Sequence, residues 1–376
     1  MTSMEELSPR RLAWMRFTRH RLALYSAIFL ASLYVLTGIA EFVSPYTPGE
    51  RNIRAINAPP MEIHFFTEEG DFQLRPFVYG LDMTINNDTW MREYEEDLST
   101  KFELGLFVKG EPYELFGFIP SETHLFGVLN RDGYIHLFGT DSLGRDLFSR
   151  VLYGGRVSLS IGLIGVALTL FLGVLLGGFA GYIGGWVDSL VQRSIEVLQS
   201  MPTLPLWMAL SAALPAVWSP LTAYFGVTII LSLFGWTTLA RQVRGRFLAM
   251  RDDDFVIAAR LVGASDTRIV FRHMLPSFMS HIITTATLAV PAMILGETAL
   301  SFLGIGLRAP VVSWGVLLQQ AQNFQVIVMT PWLLIPGLFI VLTVIAFNLL
   351  GDGLRDAADP YNVKDHGVKD NGKGDS

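Results

Sequence analysis

Five stretches of the chain contain no Asp, Glu, Lys or Arg: residues 22–40, 157–187, 197–240, 273–296 and 309–351, which are 19, 31, 44, 24 and 43 residues long. A hydrocarbon core about 30 Å thick takes about 20 such residues per helix. One soluble core does not need five runs of this length, so the pattern predicts a membrane protein with six spans. The first is 22–43 and the second about 158–180, followed by a glycine-rich turn. The 44-residue run is too long for one span. Pro215 and Pro220 break it, since proline cannot continue a helix. A third helix then ends near Leu214 and a fourth covers about 222–239. The fifth is about 277–300. Gly304, Gly306, Pro310 and Gly315 mark a loop before the sixth, about 331–350.

Arg10, Arg11, Arg16, Arg19 and Arg21 precede the first span, which places that end in the cytoplasm by the positive-inside rule. The span is too long for a signal-peptide core and no small-x-small cleavage site follows it, so it reads as a retained anchor. Six spans return the C-terminus to the cytoplasm and put the loop 241–276 there too. Its seven arginines (241, 244, 246, 251, 260, 268 and 272) agree. The polar tail after Asp359 reads as disordered.

Between the first two spans, residues 44–153 hold 18 acidic and 9 basic residues. That local charge of −9 leaves +3 for the remainder of a chain whose net charge is −6. Three hairpin patterns appear in this insert: 61–66 with 71–79, 101–108 with 113–119, and 126–129 with 134–138. Each flanks a turn rich in Gly, Asn, Asp or Pro. Residues 87–98 read as a short polar helix. The prediction is a small β-rich extracytoplasmic insert; an irregular loop packed on the membrane helices is the alternative.

Composition adds exclusions. Charged residues make up 16% of the chain against about 25% for soluble domains, which argues against a soluble enzyme. There is no cysteine, hence no disulfide scaffold, thiolate metal site or thiol nucleophile. No basic run with interleaved aromatics points to nucleic acid. The seven histidines (20, 64, 124, 136, 273, 281 and 366) form no zinc-protease pair, and there is no G-x-S-x-G elbow. The near-match to a phosphate loop at Gly367, Gly372 and Lys373 runs into Gly374 and lacks a strand before it or a helix after it. No catalytic, cofactor or metal site is expected.

The informative segment is the second large loop. Residues 253–262 are helix-like, with Asp252, Asp253 and Asp254 where a helix dipole favours negative charge. Gly263 can terminate this helix, Ser265 and Asp266 can cap a second at about 267–274, and Pro276 opens the fifth span. The small residues Ala258, Ala259, Gly263 and Ala264 allow close approach of a partner. Apolar Phe255, Ile257, Leu261, Ile269 and Phe271 argue against a merely solvated loop.

These residues resemble a known family. The run Asp254 to Arg260, then Gly263-Ala264-Ser265, then Phe271-Arg272-His273-Met274-Leu275-Pro276 is similar to the "EAA" coupling loop of binding-protein-dependent ABC importer permeases. One position departs: the usual Glu is Ile257, which leaves that Glu's ion pair with the ATPase without support, whereas apolar docking remains. Residues 139–146 with 149–158, and Glu297 to Gly306 followed by Ser313-Trp314-Gly315, resemble the oligopeptide/dipeptide permease family, C-type subunit. The resemblance covers 139–360 closely and 10–48 loosely; the insert 59–130 is larger than that family leads one to expect.

The resemblance implies an α-helical polytopic membrane protein of the type I ABC importer permease fold in a bacterial or archaeal inner membrane. Its parts would be an N-terminal segment 1–21, a first helix 22–43, the insert 44–153, a core permease domain 154–356 and a tail 357–376. It implies a second, B-type permease, two cytoplasmic ATP-binding subunits that carry ATP and Mg, and an extracytoplasmic substrate-binding protein. The chain itself would be a non-catalytic permease subunit without a cofactor. ATPase coupling would fall to Phe255, Ala258, Ala259, Gly263, Ala264, Ser265, Arg268, Arg272, His273, Leu275 and Pro276. Pathway or gating roles fall on Glu297, Ser301 and Trp314. Glu297 follows 24 uncharged residues and could pair with Arg308 or line the pathway.

Asp188, Arg193 and Glu196 near the end of the third span read as a snorkelling helix end or a functional charge, with Arg193 and Glu196 as i,i+3 neighbours. Gly162, Gly165, Gly173, Gly177, Gly178 and Gly181 make small-x-x-small patterns for close helix packing. A secondary transporter and a membrane-anchored scaffold are the competing classes. The first lacks clear inverted repeats; the second leaves the arginine-rich loop unexplained. Short peptides are the first substrate the resemblance implies, with oligosaccharides, opines and other small solutes open.

Overall fold

The computed structural model describes residues 9–358 except 86, 88–91, 131 and 216. The expected disordered tail and the phosphate-loop near-match lie outside the described residues. Among the described residues, five helices are long and apolar enough to cross a membrane.

After α1 (Pro9–Arg19), α2 (Arg21–Gly38) and the four-residue α3 (Ala40–Val43) fill the first expected span, broken at Ile39. The second span begins earlier than its apolar run. In α4 (Leu147–Ile183) the Asp146 side chain accepts from the Ser149 amide and nucleates the helix eleven residues upstream. The expected third span is two helices, amphipathic α5 (Gly185–Ser200) and apolar α6 (Thr203–Ala212), because Pro202 sits at the join and removes a donor. The 31-residue α7 (Pro220–Met250) starts at its proline and carries Arg241, Arg244 and Arg246.

The second loop holds α8 (Asp254–Leu261) and α9 (Asp266–Arg268). A π-helical stretch (Ile269–Met274) leads from α9 into α10 (Leu275–Phe302) without leaving the helix, and Pro291 lies inside α10. The short α11 (Trp314–Gln319) and α12 (Phe324–Met329) precede α13 (Ile335–Ala358).

The insert is β-rich, as expected, with three corrections of detail. Four antiparallel strands lie in the order β1 (His64–Phe66), β2 (Phe72–Ile85), β3 (Arg92–Leu115) and β4 (Ile119–Val128). The hairpin expected at Lys109–Pro112 is instead a bulge inside the 24-residue β3. Gly110 there lies against the His124 ring, where a Cβ would come within 2.6 Å. The turn falls at Phe116 and Gly117, both with positive φ. The helix expected over 87–98 is strand from Arg92 onward, paired with Gly80–Ile85 of β2: cross-strand partners outweigh the polar, helix-like composition. Part of that segment lies outside the described residues. Tyr134–Phe138 is not a strand. It crosses the sheet face, where Tyr134 Oη takes the Leu81 amide at 3.0 Å and Ile135 joins Met61, Val78, Phe102 and Leu104 in a small core.

The main helical core joins α2, α4, α7, α10, α11 and α13 around Leu159, Ile161, Leu231, Ile294 and Trp314. Helices α4 and α7 run side by side because glycine faces backbone. A Cβ on Gly181 would meet the Arg244 carbonyl at 2.5 Å, and one on Gly173 would meet Leu239 at 2.8 Å. These are close approaches that only small residues permit.

Candidate functional site

The loop unit is built from one buried and one open face. Val256, Ile269, Val270 and Met274 pack with Val243, Phe247 and Met250 of α7 and Tyr182 of α4. Arg260 lies 5.5 Å over the Tyr182 ring. Gly263 ends α8 in the left-handed region at φ 80°, and its amide and those of Val262 and Ala264 return to the carbonyls of Arg260, Ala258 and Ala259. Ser265 caps α9, its hydroxyl accepting from the Arg268 amide at 3.4 Å.

The other face is apolar and uncovered. Leu261 and Val262 are 84% and 86% exposed, and Phe255, Ile257 and Phe271 are also exposed. Of the residues singled out for coupling, Phe255, Ala258, Gly263, Ser265, Arg268, Arg272 and Pro276 are on the open side, while Ala259, Ala264, His273 and Leu275 are half-buried. The structure therefore brings this set together as one surface, at the foot of α10.

Glu297, Ser301 and Trp314 are also brought together, but fully buried. The Glu297 carboxylate accepts from three hydroxyls: Ser313 at 2.6 Å, Ser301 at 2.7 Å and Ser158 at 3.2 Å. Each serine is itself engaged by backbone. Ser158 Oγ accepts from the Trp314 amide, Ser301 Oγ from Leu307 and Ser313 Oγ from Val316. The Trp314 indole donates to the Val151 carbonyl at 3.0 Å. This knot ties α4, α10 and α11. The pairing of Glu297 with Arg308 is not made: Arg308 Nε donates to the Gly304 carbonyl instead.

A groove of about 800 Å³ opens between α4, α7, α10 and α13, and none of those three residues lines it. Its polar lining was missed from sequence: Thr169, Thr238, Gln242, Ser280, His281, Thr284 and, at the edge, Arg355. His281 Nε2 lies 3.4 Å from Gln242 Oε1 and its ring stacks on Phe278. Thr169 is 4% exposed and its hydroxyl has no hydrogen-bond partner among the described residues. Two of the hydroxyl-bearing residues of α10 in this lining are satisfied within the helix, Ser277 by the Met274 carbonyl and Thr284 by the Ser280 carbonyl. The signal was available as Thr and Ser recurring in α10 at 277, 280, 284, 285 and 287.

Ion pairs fix the helix ends. Arg244 grips Asp188 with Nε and Nη2, both at 2.5 Å, which joins α7 to α5; Arg193 and Glu196 meet at 3.0 Å as expected. Asp141 is fully buried and takes Arg145 at 2.7 Å, together with Arg150. Burial alone would raise this carboxyl, but the two arginines hold it below the ordinary carboxylate range. Asp146 caps α4 and meets His136 Nδ1 at 3.1 Å. Among the described residues no group of His, Cys, Asp and Glu could hold a metal.

Residues 173–362 match the family described as "Binding-protein-dependent transport system inner membrane component", and residues 8–60 match the "N-terminal TM domain of oligopeptide transport permease C". The dipeptide transport system permease protein DppC of Bacillus subtilis is 42% identical over 60% of this chain and 68% of its own length. The oligopeptide transport system permease protein OppC of the same organism is 37% identical over 64% and 76%. That of Haemophilus influenzae is 40% identical over 61% and 71%. The chain therefore belongs to the family of binding-protein-dependent transport system inner membrane components, the multi-pass permeases of ABC importers that act with ATPase partners and a paired permease.

Proposed function

We propose that this chain is a non-catalytic permease subunit that forms half of an ATP-driven pathway for short peptides. The observation that carries the reading is the loop unit 253–276: an apolar, uncovered surface on a helix pair that runs directly into a membrane-length helix. A partner that binds this surface and moves can bias a two-state helix bundle. The relatives' names support peptides as the cargo.

In this reading two ATP-binding subunits dock at Phe255, Ala258, Ala259, Gly263, Ala264, Ser265, Arg268, Arg272, His273, Leu275 and Pro276, and hold the ATP and Mg. A B-type permease closes the groove between α4, α7, α10 and α13 into a channel, and an extracytoplasmic binding protein delivers the solute. Hydroxyls at Thr169, Thr238, Ser280 and Thr284 suit exchange of hydrogen bonds with peptide amides, and Arg355 suits a carboxylate. Glu297, Ser301 and Trp314 act in gating by holding the opposite ends of α4 and α10. The arginines of 241–276 and of the N-terminal segment favour the cytoplasm for that side of a bacterial inner membrane.

The test is reconstitution of the two permeases, the ATPases and the binding protein in liposomes. Uptake of a labelled di- or tripeptide should require ATP. Uptake that proceeds without ATP or without the ATPases overturns the proposal.

A further inference from the structure

The hairpin of β3 and β4 carries large apolar side chains, at its turn and further back along β3, where a water-facing sheet has no use for them. Phe118 and Leu106 are each 72% exposed, and Phe107, Phe116 and Ile119 are exposed as well. The Phe116 and Phe118 rings lie 6.3 Å apart. An exposed apolar cluster of this kind marks an interaction surface.

Its position in the fold says with what. Glu41 is the first charged residue after the uncharged run 22–40, and Arg156 is the last before the uncharged run 157–187. The two meet in a bidentate ion pair, Nη1 and Nη2 each 2.5 Å from a carboxylate oxygen, and Arg156 Nη2 also donates to the Gly38 carbonyl at 2.8 Å. Two helices thus leave their apolar runs at one level, which fixes the plane of the membrane boundary on the insert side. The β3–β4 turn reaches that level: Glu114, Phe116 and Gly117 border the same hollow as Gly38, Glu41 and Arg156. Phe107 meets Phe42 of α3 with ring centroids 6.2 Å apart, and His124 of β4 is fastened to the Ser44 carbonyl at 2.5 Å.

We propose that the β3–β4 turn dips into the bilayer interface, with Phe116, Phe118 and Ile119 among the lipid headgroups and upper acyl chains. The occupant of the surface is lipid because the patch is continuous with the ends of α2 and α4 at Gly38 and Arg156, and Phe and other large apolar side chains bury favourably at the boundary of headgroups and acyl chains. The insert is then held at two points, by protein at α3 and by membrane at its tip. The inference rests on the reading of α2 as a membrane span, which its test checks separately.

The chain has no cysteine, so single nitroxide labels can be placed cleanly. Phe118→Cys, Glu69→Cys in the exposed β1–β2 turn and Val35→Cys on the exposed side of α2 are labelled in the assembled transporter, with cysteine-free partners, in liposomes. Collision with oxygen is compared with collision with a water-soluble nickel chelate. The expected result is oxygen preference at 35, nickel preference at 69, and an oxygen-to-nickel ratio at 118 several-fold above that at 69. A nickel preference at 118 equal to that at 69, with 35 oxygen-rich, overturns the tip insertion alone. Shielding of 118 from both reagents also overturns it and means that a protein covers the patch. Nickel preference at 35 overturns the membrane span and the insertion together.

Discussion

Ser158 and Glu297, 139 residues apart in sequence, share a hydrogen bond of 3.2 Å inside the helix bundle. With Ser301 and Ser313 donating to the same carboxylate, three elements converge on one acidic group. Removing one hydrogen-bond partner of a buried polar group costs about 1–3 kcal/mol. Ser313→Ala is therefore expected to lower the thermal unfolding midpoint in detergent. Glu297→Ala, which orphans all three hydroxyls, should lower it further. Midpoints unchanged in both variants would show that the knot contributes nothing.

Gly144 is the second sensitive point. It adopts φ 72°, and a Cβ there would run into the Asn52 carbonyl. Left-handed strain costs about 1–3 kcal/mol for a residue with a side chain, and the clash adds to it. Gly144→Ala should loosen the junction between insert and helices, read as faster proteolysis between 44 and 146 with the helical circular dichroism retained. Proteolysis at the wild-type rate would refute this.

Acid should act through Asp141. Its folded carboxyl lies below the ordinary value, so the stability it contributes is fully present above about pH 4, the unfolded carboxylate range. That contribution is lost as pH falls through the lower, folded pKa. Asp141→Asn leaves Arg150 buried and without this ion pair, a cost of about 3–5 kcal/mol at neutral pH. Thermal midpoints from pH 7 to 3 should show a lower plateau and a shallower acid decline in the variant. Parallel curves for the two proteins would contradict the assignment.

The open face of α8 should matter to coupling and not to folding. Leu261 and Val262 touch solvent, so Leu261→Glu and Val262→Glu are expected to change the free energy of unfolding by no more than about 0.5 kcal/mol, as is usual for surface sites, and to leave the thermal midpoint near that of the wild type. Substrate-stimulated ATP hydrolysis and uptake should both fall several-fold. Wild-type coupling in both variants would remove this face from the docking surface. Ala259, half-buried on the inner side of the same helix, should lose coupling and stability together when made bulky.

Much of this was legible in the chain. The charge-free runs predict the long helices because a bilayer admits little else, and Gly263 with Ser265 predicts the break and cap of the loop unit because both are local chemistry. The third span was misread: its apolar composition is continuous across Pro202, and composition outweighed the proline. The insert was right in kind and wrong in register. Its turn at Phe116–Gly117 has none of the surrounding polarity that usually marks one, while the Lys109–Pro112 signal belongs to a bulge. The pairs Asp188–Arg244 and Glu41–Arg156 join residues 56 and 115 positions apart, and no local pattern announces such partners; the polar groove left a trace in the Ser and Thr of α10, but its other walls come from α4, α7 and α13.

The unbroken passage from α9 through the π-helical stretch into α10 has a mechanical meaning. Residues Asp266–Phe302 form a single rod of 37 residues, about 55 Å at 1.5 Å per residue. The apolar docking face hangs from one end and the Glu297 knot clamps the other. Pro291, which cannot donate to the carbonyl one turn back, is the compliant point between them. Under the proposed coupling role, the stretch from Asp266 to Pro291 moves as one piece, and the bend available at Pro291 takes up part of that motion before it reaches Glu297.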